Sequence, residues 1–252
     1  MKDRLVLLEE FIDKNGKVTL HELENAFQNV SSMTLRRDLN RLEENNKILK
    51  IPGGAISVNT VLRAKEQDFS ERISFHTEEK LEIADKAVKL IEPSTCIYID
   101  GGSTTTYFAR ALPDDNFYVL TNALTIAETI IRKNKPTVTL LGGDLTKNNF
   151  ITVGASCTMF VDRVNIQTAI MATTGYIKET GEFSCGSQAE ADLKRKVIQK
   201  ADYVIMLLDS SKVGKKPPYT FAKITDIDCM VVDNDFPTTL KNTIANSGVK
   251  II

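Results

Sequence analysis

Six short apolar runs rich in β-branched residues recur through the last two thirds of the chain: Cys96 to Asp100, Phe117 to Thr121, Val138 to Leu141, Thr168 to Ala172, Tyr203 to Asp209 and Met230 to Asp233. Helical patterns fall between them, at Glu78 to Ile91, Thr104 to Leu112, Ala123 to Lys133 and Gln188 to Ala201. A parallel strand pair needs a crossover long enough to hold a helix. This alternation therefore predicts an α/β fold with a mostly parallel sheet covered on both faces.

In open α/β sheets, ligands collect outside the carboxyl ends of the strands. The residues after each run are small and polar in nearly every case: Asp100-Gly101-Gly102-Ser103-Thr104-Thr105, Thr121-Asn122, Gly142-Gly143-Asp144, Thr173-Thr174-Gly175 and Asp209-Ser210-Ser211-Lys212. The first opens a helix, so exposed amides, hydroxyls and a helix N-terminus coincide as an anion or phosphate seat, and Lys212 adds a point charge. Plainer readings stand beside these. Gly-Gly-Ser before a helix is also an ordinary tight turn, and Lys212 is also a solvated loop lysine. Ser187-Gln188-Ala189-Glu190 has the spacing of a capping box, which would commit Glu190 to closing a helix end.

The N-terminal region carries a different pattern. Lys2 to Lys14 reads as a helix with Leu5, Leu8 and Ile12 on one stripe, stopped by Asn15-Gly16. Thr19-Leu20-His21-Glu22 is a capping box that starts a second helix, running to about Phe27. After the turn Gln28-Asn29-Val30, Ser31 caps a third helix, in which Leu35, Leu39 and Leu42 bury one stripe while Thr34, Arg37 and Arg41 recur on another side. Two helices joined by a tight turn form a helix-turn-helix. Ile48 to Ile51 and Ala55 to Val58, on either side of Pro52-Gly53-Gly54, predict a β-hairpin that would serve as a wing.

The candidate DNA contacts are Ser32, Thr34, Arg36, Arg37, Arg41 and the wing's Lys50. Thr34, Arg37 and Arg41 are expected at base edges and the lysine at phosphate. The competing reading pairs Arg37 and Arg41 with Asp38 or Glu44 on a solvated face. Glu43 and Lys47 are spaced as a helix-supporting pair.

Composition sets the bounds. The 252 residues, 42% hydrophobic and 26% charged, allow one or two globular domains with a sizeable core. A net charge of −1 does not by itself point to nucleic acid, and over residues 1–60 the charges cancel. DNA binding rests instead on the local set Arg36, Arg37, Arg41, Lys47 and Lys50 against Asp38, Glu43 and Glu44. No apolar run approaches the roughly 18 residues of a membrane span, so a cytoplasmic location is expected. Cys96, Cys157, Cys185 and Cys229 stand far apart, with only His21 and His76 as further soft ligands. They are read as buried reduced thiols, with neither metal nor cofactor. Residues 60–77 are charged and weakly periodic, a linker with room for a short helix. The expected domains are thus 1–59, a winged helix-turn-helix; 60–77, a linker; and 78–252, an α/β effector-binding domain.

Val30-Ser31, Thr34-Leu35-Arg36-Arg37-Asp38-Leu39, Leu42-Glu43 and Gly53-Gly54-Ala55 together resemble the signature of DeoR/GlpR-type transcriptional regulators. The second half continues the resemblance with Glu79-Lys80, Ile83-Ala84, Asp100 with Ser103-Thr104-Thr105, Thr121-Asn122, Gly142-Gly143, Glu190-Ala191 with Lys194-Arg195, and Asp209-Ser210-Ser211-Lys212 with Gly214. The resemblance implies an effector domain similar to ribose-phosphate isomerases and CoA transferases, a sugar-phosphate effector and repression of carbohydrate-catabolic genes. Double-stranded operator DNA bound by a homo-oligomer, dimer or tetramer, goes with that reading. The expected effector residues are Asp100, Gly102, Ser103, Thr104, Thr105, Asn122, Gly142, Gly143, Gly175, Glu190 and Lys212. Three departures are visible: a turn before Val30 one residue longer than common, Pro52 where His is frequent, and Ser103 where Gly-Thr is more usual.

Two other functions are open. An isomerase would use a carboxylate base and a cation, nominally Asp100 and Lys212, but the Asp-Gly-Ala-Asp-Glu and Lys-Gly-Gly-Gly type motifs of ribose-phosphate isomerases are missing, and no enzyme is expected. Alternatively, the α/β half only oligomerises.

Overall fold

Capping chemistry written into the sequence marks out the first helices in the computed structural model, which describes residues 4–45, 47–51, 53–57 and 69–252. The chain divides into two compact units, Met1–Gln67 and Asp68–Ile252. In the first, helix α1 (Arg4–Asn15) stops at Gly16, whose N–H returns to the Ile12 carbonyl at 2.8 Å. Strand β1 (Lys17–Thr19) leads into α2 (Leu20–Ala26) through a reciprocal cap: Thr19 N–H donates to Glu22 Oε2 at 2.7 Å and Glu22 N–H donates to Thr19 Oγ1 at 3.2 Å. The bonds from Thr19 hold the Glu22 carboxyl below its ordinary value. Helix α3 (Ser32–Glu44) begins where Ser31 Oγ accepts from Thr34 N–H at 3.3 Å.

Strands β2 (Ile48–Ile51) and β3 (Gly54–Ser57) form the expected hairpin, and β1 joins it to give an antiparallel sheet in the order β1-β3-β2. Three residues are too few to show alternation, so β1 was not foreseen; it exists through its pairing with β3. Gly54 permits that pairing, because a Cβ there would fall 2.1 Å from the Val18 carbonyl oxygen. Leu8, Ile12, Leu23, Leu35, Leu39, Leu42 and Ile48 close the core beneath the sheet. Each such aliphatic side chain contributes about 1.5–3 kcal/mol by leaving water. Lys2, Pro52 and Val58, named in the sequence patterns, lie outside the described residues, as do positions 60–68 of the expected linker.

The remainder of that linker holds the short helix for which it left room, α4 (Phe69–Ser74), and Thr77 already opens α5 (Thr77–Ala87). A six-residue helix is too short for its periodicity to be read. Beyond it, β4 (Cys96–Ile99), β5 (Tyr118–Thr121), β6 (Thr137–Leu140), a β7–β8 hairpin (Asp144–Thr146 and Ile151–Val153) and β9 (Ile166–Ala172) follow. Then come β10 (Gly175–Ile177), β11 (Glu182–Cys185), β12 (Ala201–Leu208), β13 (Tyr219–Lys223), β14 (Cys229–Val232) and β15 (Lys250–Ile251). Seven of them form one parallel sheet, ordered β15-β14-β12-β9-β4-β5-β6.

The strands alternate between two cores, which is why they read as continuous apolar runs. Ile97, Ile99, Ile205 and Leu207 face the layer of α5, α6 (Ser103–Ala111) and α7 (Leu124–Ile131). Tyr98, Val204, Met206 and Leu208 face the layer of α8 (Ala155–Val161) and α9 (Gln188–Lys200), with α10 (Thr238–Asn246). The antiparallel trio β10-β11-β13 covers part of this second face through rings in tilted contact, Tyr176 with Phe183 at 5.2 Å and Phe183 with Phe221 at 6.3 Å.

From β4 the chain moves outward to β5 and β6, and from β9 it moves the other way to β12, β14 and β15. Strand order thus reverses between the neighbours β4 and β9, and a crevice opens at their carboxyl ends. Cys157, Cys185 and Cys229 are buried free thiols and Cys96 is half-buried; burial pushes the Cys185 thiol up to about 12. Among the described residues no group of His, Cys, Asp and Glu suits a metal, and no helix is long and apolar enough to cross a membrane.

Candidate functional site

On α3 the buried residues are Leu35, Asp38, Leu39 and Leu42, and the opposite face carries Met33, Arg36, Arg37, Asn40, Arg41 and Glu44. Asp38 is taken by Arg4, whose Nε donates to its Oδ2 at 2.7 Å. Among the described residues no carboxylate pairs with Arg36, Arg37 or Arg41, so the competing ion-paired reading of Arg37 and Arg41 does not describe this face. Ser32 is exposed at the helix start. Thr34 is half-buried and its hydroxyl lies 2.9 Å from Ser31 Oγ, within the cap rather than on the open face.

Lys47, just before the hairpin, and Lys50, within it, are engaged inside the unit. Lys47 pairs with Glu9 at 3.1 Å, not with Glu43 as the spacing suggested. Glu43 instead meets Lys50, at 3.5 Å to the ammonium and 3.0 Å to the backbone N–H. Strand β2 follows α3 directly and packs on it, which brings Lys50 to Glu43, a contact beyond the reach of helical spacing.

At the switch point of the second unit a cleft is lined by Gly101, Gly102, Ser103 and Thr104 after β4, and by Ala172, Thr173 and Thr174 at the end of β9. Arg72 of α4, Asn149 of the β7–β8 turn, Glu190 and Lys194 of α9, and Lys212 after β12 complete it. Gly102 caps α6 without a side chain to bond the first amides, so the helix N-terminus faces the cleft with its orphan donors. A Cβ at Gly102 would meet Ala172 Cβ at 2.9 Å, which keeps this approach for glycine.

The charges are arranged in two tiers. At the bottom, Lys194 donates to Asp100 Oδ2 and to the Ala172 carbonyl at 3.0 Å, and lies 3.3 Å from Glu190 Oε1. Burial works against its ammonium, but Asp100 and Glu190 more than reverse that effect and hold its pKa above the ordinary lysine value. Nearer the mouth, Lys212 sits 3.8 Å from Asp209 Oδ2, and burial draws its pKa down. Arg72 Nη2 donates to Asn149 Oδ1, while Arg72 Nε is buried with no partner among the described residues.

Of the residues singled out by sequence, Gly102, Ser103, Thr104, Glu190 and Lys212 line the cleft. Asp100 lies directly behind it, and Thr105 is buried with its hydroxyl donating to the Gly102 carbonyl at 3.0 Å. Asn122, Gly142, Gly143 and Gly175 are placed elsewhere. Asn122 accepts from Tyr98 Oη at 2.9 Å and donates to the Thr152 carbonyl at 3.0 Å, tying β4 and β5 to β8. A Cβ at Gly143 would fall 2.4 Å from the Val153 oxygen and one at Gly175 would fall 2.4 Å from the Lys215 oxygen, so both glycines serve close backbone packing. Gly142 contributes its carbonyl to Cys157 Sγ at 3.1 Å. Ser187 Oγ accepts from Glu190 N–H at 3.3 Å, and the Glu190 carboxylate reaches Lys194.

The expected effector residues did not include Arg72, Asn149, Thr173, Thr174 or Lys194, although Thr173-Thr174 stood among the strand ends where ligands collect. Arg72 and Asn149 come from short elements without periodicity. Lys194 had a signal: one turn after Glu190, it shares the helix face that meets the strand ends.

Residues 4–61 match the family model of a DeoR-like helix-turn-helix domain, and residues 75–234 match that of the DeoR C-terminal sensor domain. The chain is 30% identical over 251 residues to the HTH-type transcriptional repressor GlcR of Bacillus subtilis (strain 168), covering 100% of this chain and 95% of the relative. It is 32% identical over 229 residues to the regulator IolR of the same organism, covering 90% and 89%. With the glycerol-3-phosphate regulon repressor of Escherichia coli (strain K12) it shares 29% over 247 residues, covering 96% and 94%. Among solved structures, ribose 5-phosphate isomerase A of Methanocaldococcus jannaschii aligns over 54% of each chain at 18% identity and a TM-score of 0.41. The eIF2B delta protein of Chaetomium thermophilum aligns over 67% of this chain and 60% of its own, at 14% identity and a TM-score of 0.46.

Proposed function

The chain belongs to the DeoR family of transcriptional regulators, and from that premise we propose that it is a repressor of carbohydrate-catabolic genes whose operator affinity is set by a phosphorylated sugar held in the α/β unit. The observation that carries this reading is the convergence, in one cleft, of the uncapped N-terminus of α6 with Lys212 and Arg72, beside the carboxylate of Glu190. Backbone donors and two cations suit a phosphate, and the carboxylate suits the hydroxyls of a sugar. One relative's name, a glycerol-3-phosphate regulon repressor, points to the same chemical class.

A ligand that binds one presentation of the DNA-binding modules about 5- to 150-fold better than another supplies about 1–3 kcal/mol of coupling, enough for control. A single recognition helix reads few bases, so a dimer or tetramer on repeated half-sites belongs to this proposal. The isomerase alternative would need Asp100 as a free base, whereas Lys194 and the Ala172 amide both occupy its Oδ2.

Calorimetric titration of the full chain with matched phosphorylated and unphosphorylated sugars tests the proposal. Binding of a phosphosugar, lost in Lys212→Ala and not seen with the unphosphorylated partner, is the expected result. Equal binding of both members of a pair would remove the phosphate seat.

A further inference from the structure

The link between the wing and α3 gives a role to Asn40, a residue outside the expected DNA contacts. We propose that Asn40 reads a guanine edge in the major groove and that Lys50 is the positioning residue that aims its amide; this rests on the DNA-binding function of the helix-turn-helix unit.

Asn40 stands on the open face of α3, seven residues after Met33, which is 82% exposed, and one turn beyond Arg36 and Arg37. Lys50 Nζ donates to Asn40 Oδ1 at 2.8 Å. An ammonium has only donors, so the amide orientation is forced: the oxygen faces the wing and the NH₂ group is left without a partner among the described residues. Lys50 is itself fixed at both ends by Glu43, through its backbone N–H at 3.0 Å and its ammonium at 3.5 Å.

This brace changes what Lys50 can do. With Glu43 and Asn40 on its ammonium, it is poorly placed to act as a roaming phosphate contact. What the brace presents to the groove is the amide NH₂ of Asn40, a group with two N–H donors and no acceptor. Guanine alone offers two adjacent major-groove acceptors, N7 and O6; adenine offers one acceptor and one donor, and cytosine offers a donor.

Selection of bound duplexes from a random library, using the full chain and its Asn40→Ala, Lys50→Met and Lys50→Arg variants, tests this. Wild type should enrich guanine at one position of each half-site. Asn40→Ala should flatten that position alone, with about ten-fold weaker binding to the guanine site and little change on sites carrying another base there. Lys50→Met should flatten the same position and Lys50→Arg, which keeps a donor, should restore it. The same guanine preference in Asn40→Ala, or an equal loss on every sequence, would overturn the assignment. Failure of Lys50→Arg to restore the preference would remove the positioning role. If wild type enriches no sequence at all, the DNA-reading function fails first and the assignment with it.

Discussion

Lys194 donates from the first half of α9 into the carboxylate of Asp100 at the end of β4, joining residues 94 apart in sequence. Both side chains are 2% exposed, and Glu190 stands 3.3 Å from the same ammonium. Removing one member of a buried pair strands the other charge, so Lys194→Met should lower stability by about 3–5 kcal/mol. The double variant Lys194→Met with Asp100→Asn should recover much of that loss. Urea unfolding followed by circular dichroism measures both. Equal losses in single and double variants would show that Asp100 is not the partner that matters.

Lys80 is shifted in the opposite direction from Lys194. Its ammonium donates to the carbonyls of Arg72 and Phe75 at the end of α4, and burial pushes its pKa down from 10.5 to about 8, with Lys212 and Arg72 adding repulsion and Asp209 opposing. The unfolded chain keeps this proton to about 10.5 while the folded chain releases it near 8, so the Lys80 contribution to stability rises with pH across that window. The stability difference between wild type and Lys80→Met should be flat below pH 8 and grow by about 3 kcal/mol in favour of wild type by pH 10.5. A flat difference across the window contradicts the depressed value. Lys194, raised rather than lowered, stays protonated in both states through most of that range.

Gly102→Val should both destabilise the α/β unit and close the cleft. The added Cβ would lie 2.9 Å from Ala172 Cβ and 3.1 Å from Thr105 Oγ1. A cost of about 1–3 kcal/mol is expected for such overpacking, and phosphosugar binding by calorimetry should disappear. Retained binding would show that the α6 amides are not part of the seat.

Arg37 and Thr34 should separate cleanly. Arg37 is exposed without an ion-pair partner among the described residues, so Arg37→Ala should weaken specific DNA more than random DNA in competition assays. Thr34 bonds within the Ser31 cap, so Thr34→Ala should cost less than about 1 kcal/mol of stability and leave sequence preference unchanged. Equal weakening of specific and random DNA by Arg37→Ala would remove it from base reading.

Features encoded locally were legible in the sequence. The cap at Thr19 with Glu22, the cap at Ser31 and the stripe Leu35, Leu39, Leu42 all depend on neighbours within one or two helical turns, and five of the six principal strands, all but the edge strand β6, announced themselves because both of their faces are buried. Features that depend on distant partners were not. Strand β1 exists through β3, Lys50 on β2 finds Asn40 ten residues back on α3, and Arg72 meets Asn149 from 77 residues away. The glycines divide on the same principle. Gly102 and Gly143 look alike as residues after a strand, yet one opens onto the cleft and the other against Val153, a difference set by which strands become neighbours.

Fluorescence anisotropy of the full chain on DNA from upstream of its own gene, with and without a panel of phosphorylated sugars, tests ligand-controlled DNA binding most directly. One phosphosugar should shift the wild-type binding curve by about 5- to 150-fold, whereas Lys212→Ala should bind the same DNA with an unshifted curve. Specific binding that no phosphosugar moves, or an undiminished shift in Lys212→Ala, would contradict the cleft as the controlling site.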